Sequence, residues 1–262
     1  MKYFILLGIL FLLMTNSVLA VKIATLNVQS GVGTTKGYWQ YATTFWKYFL
    51  PHSQSMIERA AHVIRDEDVD IVTLTEVDAG SFRSSGVNQA EYIANRTGLK
   101  NIVLIPTYSR LGIFNNSNAI LTKYPIIASG KQQLQGKGEP RYIGWATMHI
   151  NKSTVTVFVT HLSLDQDTRK AQLGDIAGLI KGMSGALIIT GDFNTEDKKE
   201  LDILKKEGLK EAERSMTFPS WKPQKAFDHI FTRGILVQHQ YTKSDAKLSD
   251  HLPLVAEVSL PQ

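Results

Sequence analysis

Short apolar runs rich in Val, Ile and Thr recur along the chain, each closed by Gly, Asn, Asp or Pro. They fall at Lys22–Val28, Ile71–Thr75, Ile102–Pro106, Asn118–Thr122, Trp145–Ile150, Thr154–Thr160, Ala186–Thr190, Ala226–Thr232 and Leu254–Leu260. That length, composition and punctuation predict β-strands. Between some of them the spacing turns helical, over Ser53–Asp66, Asn88–Thr97, Asp167–Lys181 and Lys198–Glu207. Several strands follow one another too closely for a helix, as where Asn151-Lys152-Ser153 alone joins Trp145–Ile150 to Thr154–Thr160. Parallel neighbours need a crossover of about a dozen residues, so a wholly parallel sheet is excluded. Two mixed sheets with outer helices fit the order.

One stretch stands apart. Tyr38–Phe49 holds Tyr38, Trp39, Tyr41, Phe45, Trp46, Tyr48 and Phe49. On a helix Tyr38, Tyr41, Phe45 and Phe49 share a face, with Trp39 and Trp46 on a neighbouring stripe. The simpler expectation is a helix packed on the core. The functional alternative is a lip beside a site, contacting a membrane surface or stacking on bases.

The N-terminus carries a different pattern. Lys2 is followed by an apolar run from Tyr3 to Met14 and a stretch ending Val18-Leu19-Ala20. A charged start, a hydrophobic run of that length and small residues before a cut predict a secretory signal peptide over residues 1–20. The run is short for a bilayer span, which disfavours an uncleaved anchor. Cleavage near Ala20 would place the mature protein outside the cell or in a periplasm, as a single domain over residues 21–262.

Composition narrows the partners only slightly. The chain has 262 residues, 29 basic and 24 acidic side chains and no cysteine. Without residues 1–20 it loses one lysine and no acid, leaving 28 basic against 24 acidic residues, net +4. A modest positive charge suits a polyanion or an anionic surface without choosing between them. Disulfides cannot brace an exported form, so its core must hold it together.

Polar residues gather where the predicted strands end, which is where α/β folds assemble their sites. Asn27 closes the first strand, Glu76 follows Ile71–Thr75, and His161 follows Val159-Thr160. Asp192 and Asn194 stand in Gly191-Asp192-Phe193-Asn194. Asp228 opens Asp228-His229-Ile230, and Ser249-Asp250-His251 precedes the last strand. Gly31-Val32-Gly33-Thr34-Thr35-Lys36-Gly37 lacks the glycine–lysine spacing of a phosphate-binding NTPase loop.

These segments, with Asn118-Ala119-Ile120-Leu121, Glu139-Pro140-Arg141 and the Arg169…Gln172 spacing, resemble the endonuclease/exonuclease/phosphatase superfamily. That superfamily includes DNase-I-like nucleases, abasic-site endonucleases, inositol-polyphosphate phosphatases and neutral sphingomyelinases. The resemblance covers the whole mature chain in the family's order. It implies a four-layer α/β sandwich, with two mixed sheets face to face and helices outside. It also implies a metal-dependent phosphoesterase with Glu76 as principal metal ligand and Asn27 and Asp250 beside it. Mg2+ suits such oxygen donors, with Mn2+ or Ca2+ as substitutes. Zinc is disfavoured by the lack of cysteine and of closely spaced histidines.

The same resemblance distributes the remaining roles. Asp192 would take the proton of the attacking water and Asn194 would donate to a phosphate oxygen. His251 would contact the scissile phosphate, oriented by Asp228, while His161 supplies a second donor and Arg141 pairs nearby or steadies the site. Arg169 and Gln172, one turn apart, are expected to pack or pair on a helix surface. The expected substrate is a phosphodiester or phosphomonoester, with a lipid head group or similar small ester slightly ahead. The alternative is a DNase-I-like nuclease, and a catalytically inactive binding module of the same fold is the third reading.

Overall fold

The computed structural model describes residues 20–260. The expected signal peptide, apart from Ala20, lies outside the described residues. Two six-stranded sheets dominate the described chain. The first combines β1 (Ala20–Asn27), β2 (Ile71–Asp78), β3 (Asn101–Arg110), β4 (Phe114–Thr122), β11 (Leu236–Thr242) and β12 (Leu254–Ser259). Its order is β11-β12-β1-β2-β4-β3. The second combines β5 (Ile126–Leu134), β6 (Arg141–Ile150), β7 (Ser153–His161), β8 (Ala186–Asp192), β9 (Lys210–Glu211) and β10 (Asp228–Arg233), ordered β5-β6-β7-β8-β10-β9. Each sheet has a parallel pair at its centre, β1 with β2 and β7 with β8, and antiparallel pairs outside it.

The sheets pack face to face and helices cover their outer sides, so the expected four-layer sandwich is the architecture found. Val21, Ile23, Ile71 and Ile120 of the first sheet meet Val155, Val157, Ile188 and Ile230 of the second between the layers. The approach is close, because a Cβ at Gly144 would lie 2.1 Å from Ile105 across the interface. Outside the first sheet lie α2 (Ser55–Asp66) and α3 (Gln89–Thr97). Ile57, Ala60, Ala61 and Ile64 are the buried stripe of α2, at the i, i+3, i+4, i+7 spacing of an amphipathic helix. Outside the second sheet, α4 (Gln166–Ile180) buries Leu173, Ile176 and Ile180, and α5 (Lys198–Lys206) buries Leu201 and Leu204. Asn88, Asp165 and Asp197 cap α3, α4 and α5 by accepting backbone N–H bonds. Each cap fixes where its helix starts.

Three strands escape the sequence pattern, β5, β9 and β11; each ends a sheet order, as does the expected strand β3. The aromatic stretch also departs from the simpler expectation. It breaks into α1 (Trp39–Thr44) and a 3-10 turn over Phe45–Tyr48. Tyr38, Trp39 and Phe45 are each more than 60% exposed, and Trp46 and Phe49 more than 40%. The segment is therefore a surface lip, not a core helix.

Candidate active site

Every polar residue picked out at a strand end arrives at the same end of the sandwich. The two central parallel pairs, β1–β2 and β7–β8, bring Asn27, Glu76, His161 and Asp192 together. A hydrogen bond between Thr73 Oγ1 and Thr190 Oγ1, 2.8 Å, ties the two sheets beneath them. Asn27 is the bracket. Its Nδ2 donates to Glu76 Oε1 at 2.9 Å and to Asp192 Oδ2 at 3.0 Å, while its Oδ1 accepts from the Gln29 N–H. Ser249 Oγ donates to the Asn27 carbonyl at 2.5 Å and accepts the His251 N–H, which pins the Ser-Asp-His loop to β1.

Glu76 owes its position to a bulge. The β2–β4 register shifts between Leu74 and Val77, and Glu76 adopts φ +56°. A non-glycine residue there costs roughly 1–3 kcal/mol, and such strain gathers at functional sites. The bulge turns the Glu76 carboxylate out of a strand that is otherwise buried. Burial, then Asp250 and Asp192, push its carboxyl up to about 7. A third of the side chain remains open to the cleft, so water screens part of that push.

Asp192 is buried at the end of β8, and burial, followed by Asp228, raises its carboxyl to about 6. Its Oδ1 accepts the Asn194 N–H at 2.9 Å. The turn depends on Gly191, at φ +133°, where a Cβ would lie 2.0 Å from the Thr160 carbonyl oxygen. Asn194 itself, at φ +51°, gives one amide hydrogen to Leu162 O at 2.9 Å. Its second amide hydrogen meets no acceptor among the described residues.

The two histidines are unlike. His251 Nδ1 donates to Asp228 Oδ2 at 2.7 Å, and its Nε2 lies 3.5 Å from Asp192 Oδ2. Burial opposes its charged form, but Asp228 and Asp192 outweigh that and hold it well above the usual histidine range. Among the described residues Asp228 Oδ1 is buried without a partner. His161 Nε2 lies 3.7 Å from Asp192 Oδ2 and 3.9 Å from Glu76 Oε1. Burial, then Arg141 and His251, hold it well below the usual range, so it is neutral. One imidazolium and one imidazole thus face the same floor.

Arg141 reaches the cleft too, 3.7 Å from Glu139, in a cavity of about 220 Å3 that Glu76 and His161 also line. Asp250 is half-buried, and its Oδ2 accepts the Tyr41 hydroxyl at 2.5 Å. Glu76, His161 and Asp192 present ligand atoms within 4.8 Å of one another. Three carboxylates, Glu76, Asp192 and Asp250, crowd this floor, and the last two raise the cost of ionising Glu76. A hard divalent cation among oxygen donors offsets such crowding, so the residues present fit a metal.

Sequence reasoning missed several members of the site. Tyr41 and Tyr48 come from the lip, and the Tyr48 hydroxyl accepts from Gln29 Nε2 at 2.9 Å. Asp78 and Arg83 form a buried ion pair at 2.7 Å behind the cleft. Arg169 and Gln172 need correction, since both are buried instead of lying on a helix surface. Arg169 holds Glu200 and the carbonyls of Ser163 and Leu164, and Gln172 accepts the Ser163 N–H. Together they anchor the chain just beyond His161.

The model of the Endonuclease/Exonuclease/phosphatase family matches residues 24–251, most of the chain. A UPF0294 protein of Klebsiella pneumoniae is 30% identical over 109 residues, spanning 40% of this chain and 41% of that relative. An endonuclease/exonuclease/phosphatase structure from Bacteroides vulgatus superposes with a TM-score of 0.70 at 20% identity, covering 93% of this chain and all of that one. A mannosyl-6-phosphatase from Bacteroides thetaiotaomicron gives 0.69 at 16%, over 92% and 100%. The human Nocturnin catalytic domain with bound sulfate gives 0.66 at 16%, over 92% and 94%. The chain belongs to the endonuclease/exonuclease/phosphatase family.

Proposed function

We propose that the protein is an exported, Mg2+-dependent phosphodiesterase whose substrate is a lipid head group or a similar small amphiphilic ester. The observation that carries this reading is the exposed aromatic lip, Tyr38–Phe49, set directly against the catalytic cleft. A core segment would hide those rings, whereas an interfacial contact uses them. Export rests on the N-terminal sequence pattern alone.

Mg2+ held by Glu76, with Asn27 and Asp250 beside it, would neutralise phosphate charge and stabilise the departing alkoxide. The chain's own groups do the rest. Asp192, its carboxyl raised toward neutral pH, takes the proton of the attacking water. His251, kept charged and aimed by Asp228, donates to a phosphoryl oxygen where negative charge grows. Neutral His161 donates a second N–H, and the second amide hydrogen of Asn194 a third. Arg141 lines the entry and favours an anion.

Parallel turnover of plasmid DNA and of a phospholipid panel, each with Mg2+ and with EDTA, tests the reading. Metal-dependent phospholipid hydrolysis outrunning DNA cleavage is the expected result. The reverse order would make the protein a DNase-I-like nuclease, and no turnover of any ester would leave a binding module.

A further inference from the structure

The cleft does not end beside the phosphate-binding floor. It continues into an open groove of about 510 Å3 that shares Tyr48, Arg83, Asn116 and Glu139 with it. One bank of the groove is Phe45, Tyr48 and Phe49 from the lip. The other is Tyr108 and Phe114 from the β3–β4 hairpin.

The polar side chains at the junction are tied largely to one another. Arg83 gives Nε to Asp78 Oδ2 at 2.7 Å, and Nη2 to Ser30 Oγ at 2.8 Å and Asn116 Oδ1 at 2.5 Å. Asn116 Nδ2 donates to Glu139 Oε1 at 3.0 Å, and Glu139 Oε2 lies 3.7 Å from Arg141. Ring surface is what the groove mainly offers an occupant. A base with polar edges would leave much of its hydrogen bonding unmet there. Nor do the rings form parallel walls. Phe45 meets Phe49 at 59° and Tyr48 at 53°, and Tyr108 meets Phe114 at 40°. A flat ring wants a face to stack on, whereas a flexible chain packs against tilted rings equally well. Apolar surface also continues past the groove. Phe82 and Leu111 are exposed on adjoining loops, which a Phe82 N–H bond to Gly112 O, 2.8 Å, holds together.

We propose that this groove binds a linear alkyl arm of the ester, running outward from the phosphate between the two aromatic banks. The inference rests on the phosphoester reading above and deepens it, because it assigns the part of the substrate that is not phosphate. A chain several carbons long would lie along Phe45 and Phe49 and reach the lip's exposed rings.

The test is calorimetric binding of ethyl, butyl, hexyl and octyl phosphate to the full chain with Mg2+, below their micelle concentrations. Thymidine 5′-monophosphate serves as the flat-ring comparator. Complete burial of a methylene is worth about fourfold in affinity, and an open groove covers about half of it, so about twofold per carbon is expected. Octyl phosphate should then bind about sixtyfold tighter than ethyl phosphate. In the double variant Phe45→Ser/Phe49→Ser that ratio should fall below about tenfold. Using the ratio divides out any change at the phosphate end.

A flat chain-length series would overturn the proposal, as would an unchanged ratio in the double variant. Tighter binding of thymidine 5′-monophosphate than of octyl phosphate would make the groove a base site instead. Because binding is read without turnover, a groove that fails leaves phosphate affinity visible. If neither inorganic phosphate nor any alkyl phosphate binds, the phosphoester reading itself falls, and this inference with it.

Discussion

Replacing Arg169 by methionine probes how the fold holds His161 in place. Arg169 makes a two-pronged contact with Glu200, Nε to Oε2 at 2.7 Å and Nη2 to Oε1 at 3.1 Å. Its Nη1 donates to Ser163 O at 3.1 Å and Leu164 O at 3.0 Å. The Glu200 side chain is only 2% exposed, so the substitution strands a carboxylate away from water. Breaking a buried pair costs about 3–5 kcal/mol. Glu200 keeps its bond from Gln166 Nε2 at 2.9 Å, which places Arg169→Met near the lower end, about 3 kcal/mol. For a chain of this size each kcal/mol moves Tm by about 2–4 °C, so a fall of roughly 6–12 °C is expected by scanning calorimetry at pH 7. The double variant Arg169→Met/Glu200→Met removes the stranded charge and should recover more than half of that loss. Activity should not recover with it. Ser163 and Leu164 lose their carbonyl bonds to Arg169 in both variants, and displacing His161 by a fraction of an ångström lowers kcat/KM by roughly tenfold or more. A Tm change under about 2 °C, or a double variant as unstable as the single one, would refute the reasoning.

Other outcomes follow from the same geometry. His251→Ala and Asp192→Ala should each lower kcat by about a hundredfold or more while Tm stays near that of the parent, since both groups act mainly in the transition state; near-normal turnover in both variants removes their assigned roles. Glu76→Ala should raise the Mg2+ concentration needed for half-maximal activity, and an unchanged midpoint counts against Glu76 as a ligand. Acid should weaken the Arg169–Glu200 pair. Burial opposes ionisation of Glu200, but Arg169 and Gln166 outweigh it and hold the carboxyl below its ordinary value. A depressed folded value means the stabilisation is fully present above the unfolded pKa, about 4.3, and disappears as pH falls through the folded one. The stability gap between the parent and Arg169→Met/Glu200→Met should therefore narrow between about pH 5 and pH 3, and a gap that widens on acidification would contradict the sign.

The strands that carry the site were legible because they are buried. Ile71–Thr75 and Ala186–Thr190 are buried on both faces, so a charged residue that follows such a run stands out as one placed to meet solvent or a ligand. That is how Glu76, Asp192 and His161 could be picked out before any contact was known. β5 was not legible, because Ser129, Lys131, Gln132 and Gln133 interrupt it. β11 is as polar, with Gln238, His239 and Gln240. Both end their sheet orders, where polar and charged residues discourage pairing with other chains. The Glu76 bulge is invisible for another reason: the sequence reads a strand over Ile71–Thr75 with Glu76 after it, and the register shift exists only relative to β4. Arg169 was misjudged because its partner, Glu200, lies 31 residues away on another helix. A charged residue on a helix is usually solvated, and nothing local says otherwise.

The aromatic stretch shows where periodicity misleads. Its spacing is helical and α1 forms, yet burial runs opposite to the packed helix expected. Hydrophobic patterning treats Tyr, Phe and Trp as one class, whereas here the two tyrosines whose hydroxyls meet a partner part from the other rings, Tyr38 among them. Tyr41 and Tyr48 turn inward, where their oxygens reach Asp250 and Gln29. Burial first, and the neighbouring carboxylates next, push both phenols above their usual range, so they remain protonated. Protonated, Tyr41 can donate to Asp250, and a phenylalanine there would leave that carboxylate without its donor. Tyr38, Trp39, Phe45, Trp46 and Phe49 turn outward and keep their rings in solvent. One short segment therefore braces the acidic floor on its inner side and presents apolar surface on its outer side. A substrate with a charged centre and an apolar arm meets both at once, which is why the lip bears on substrate choice and not only on packing.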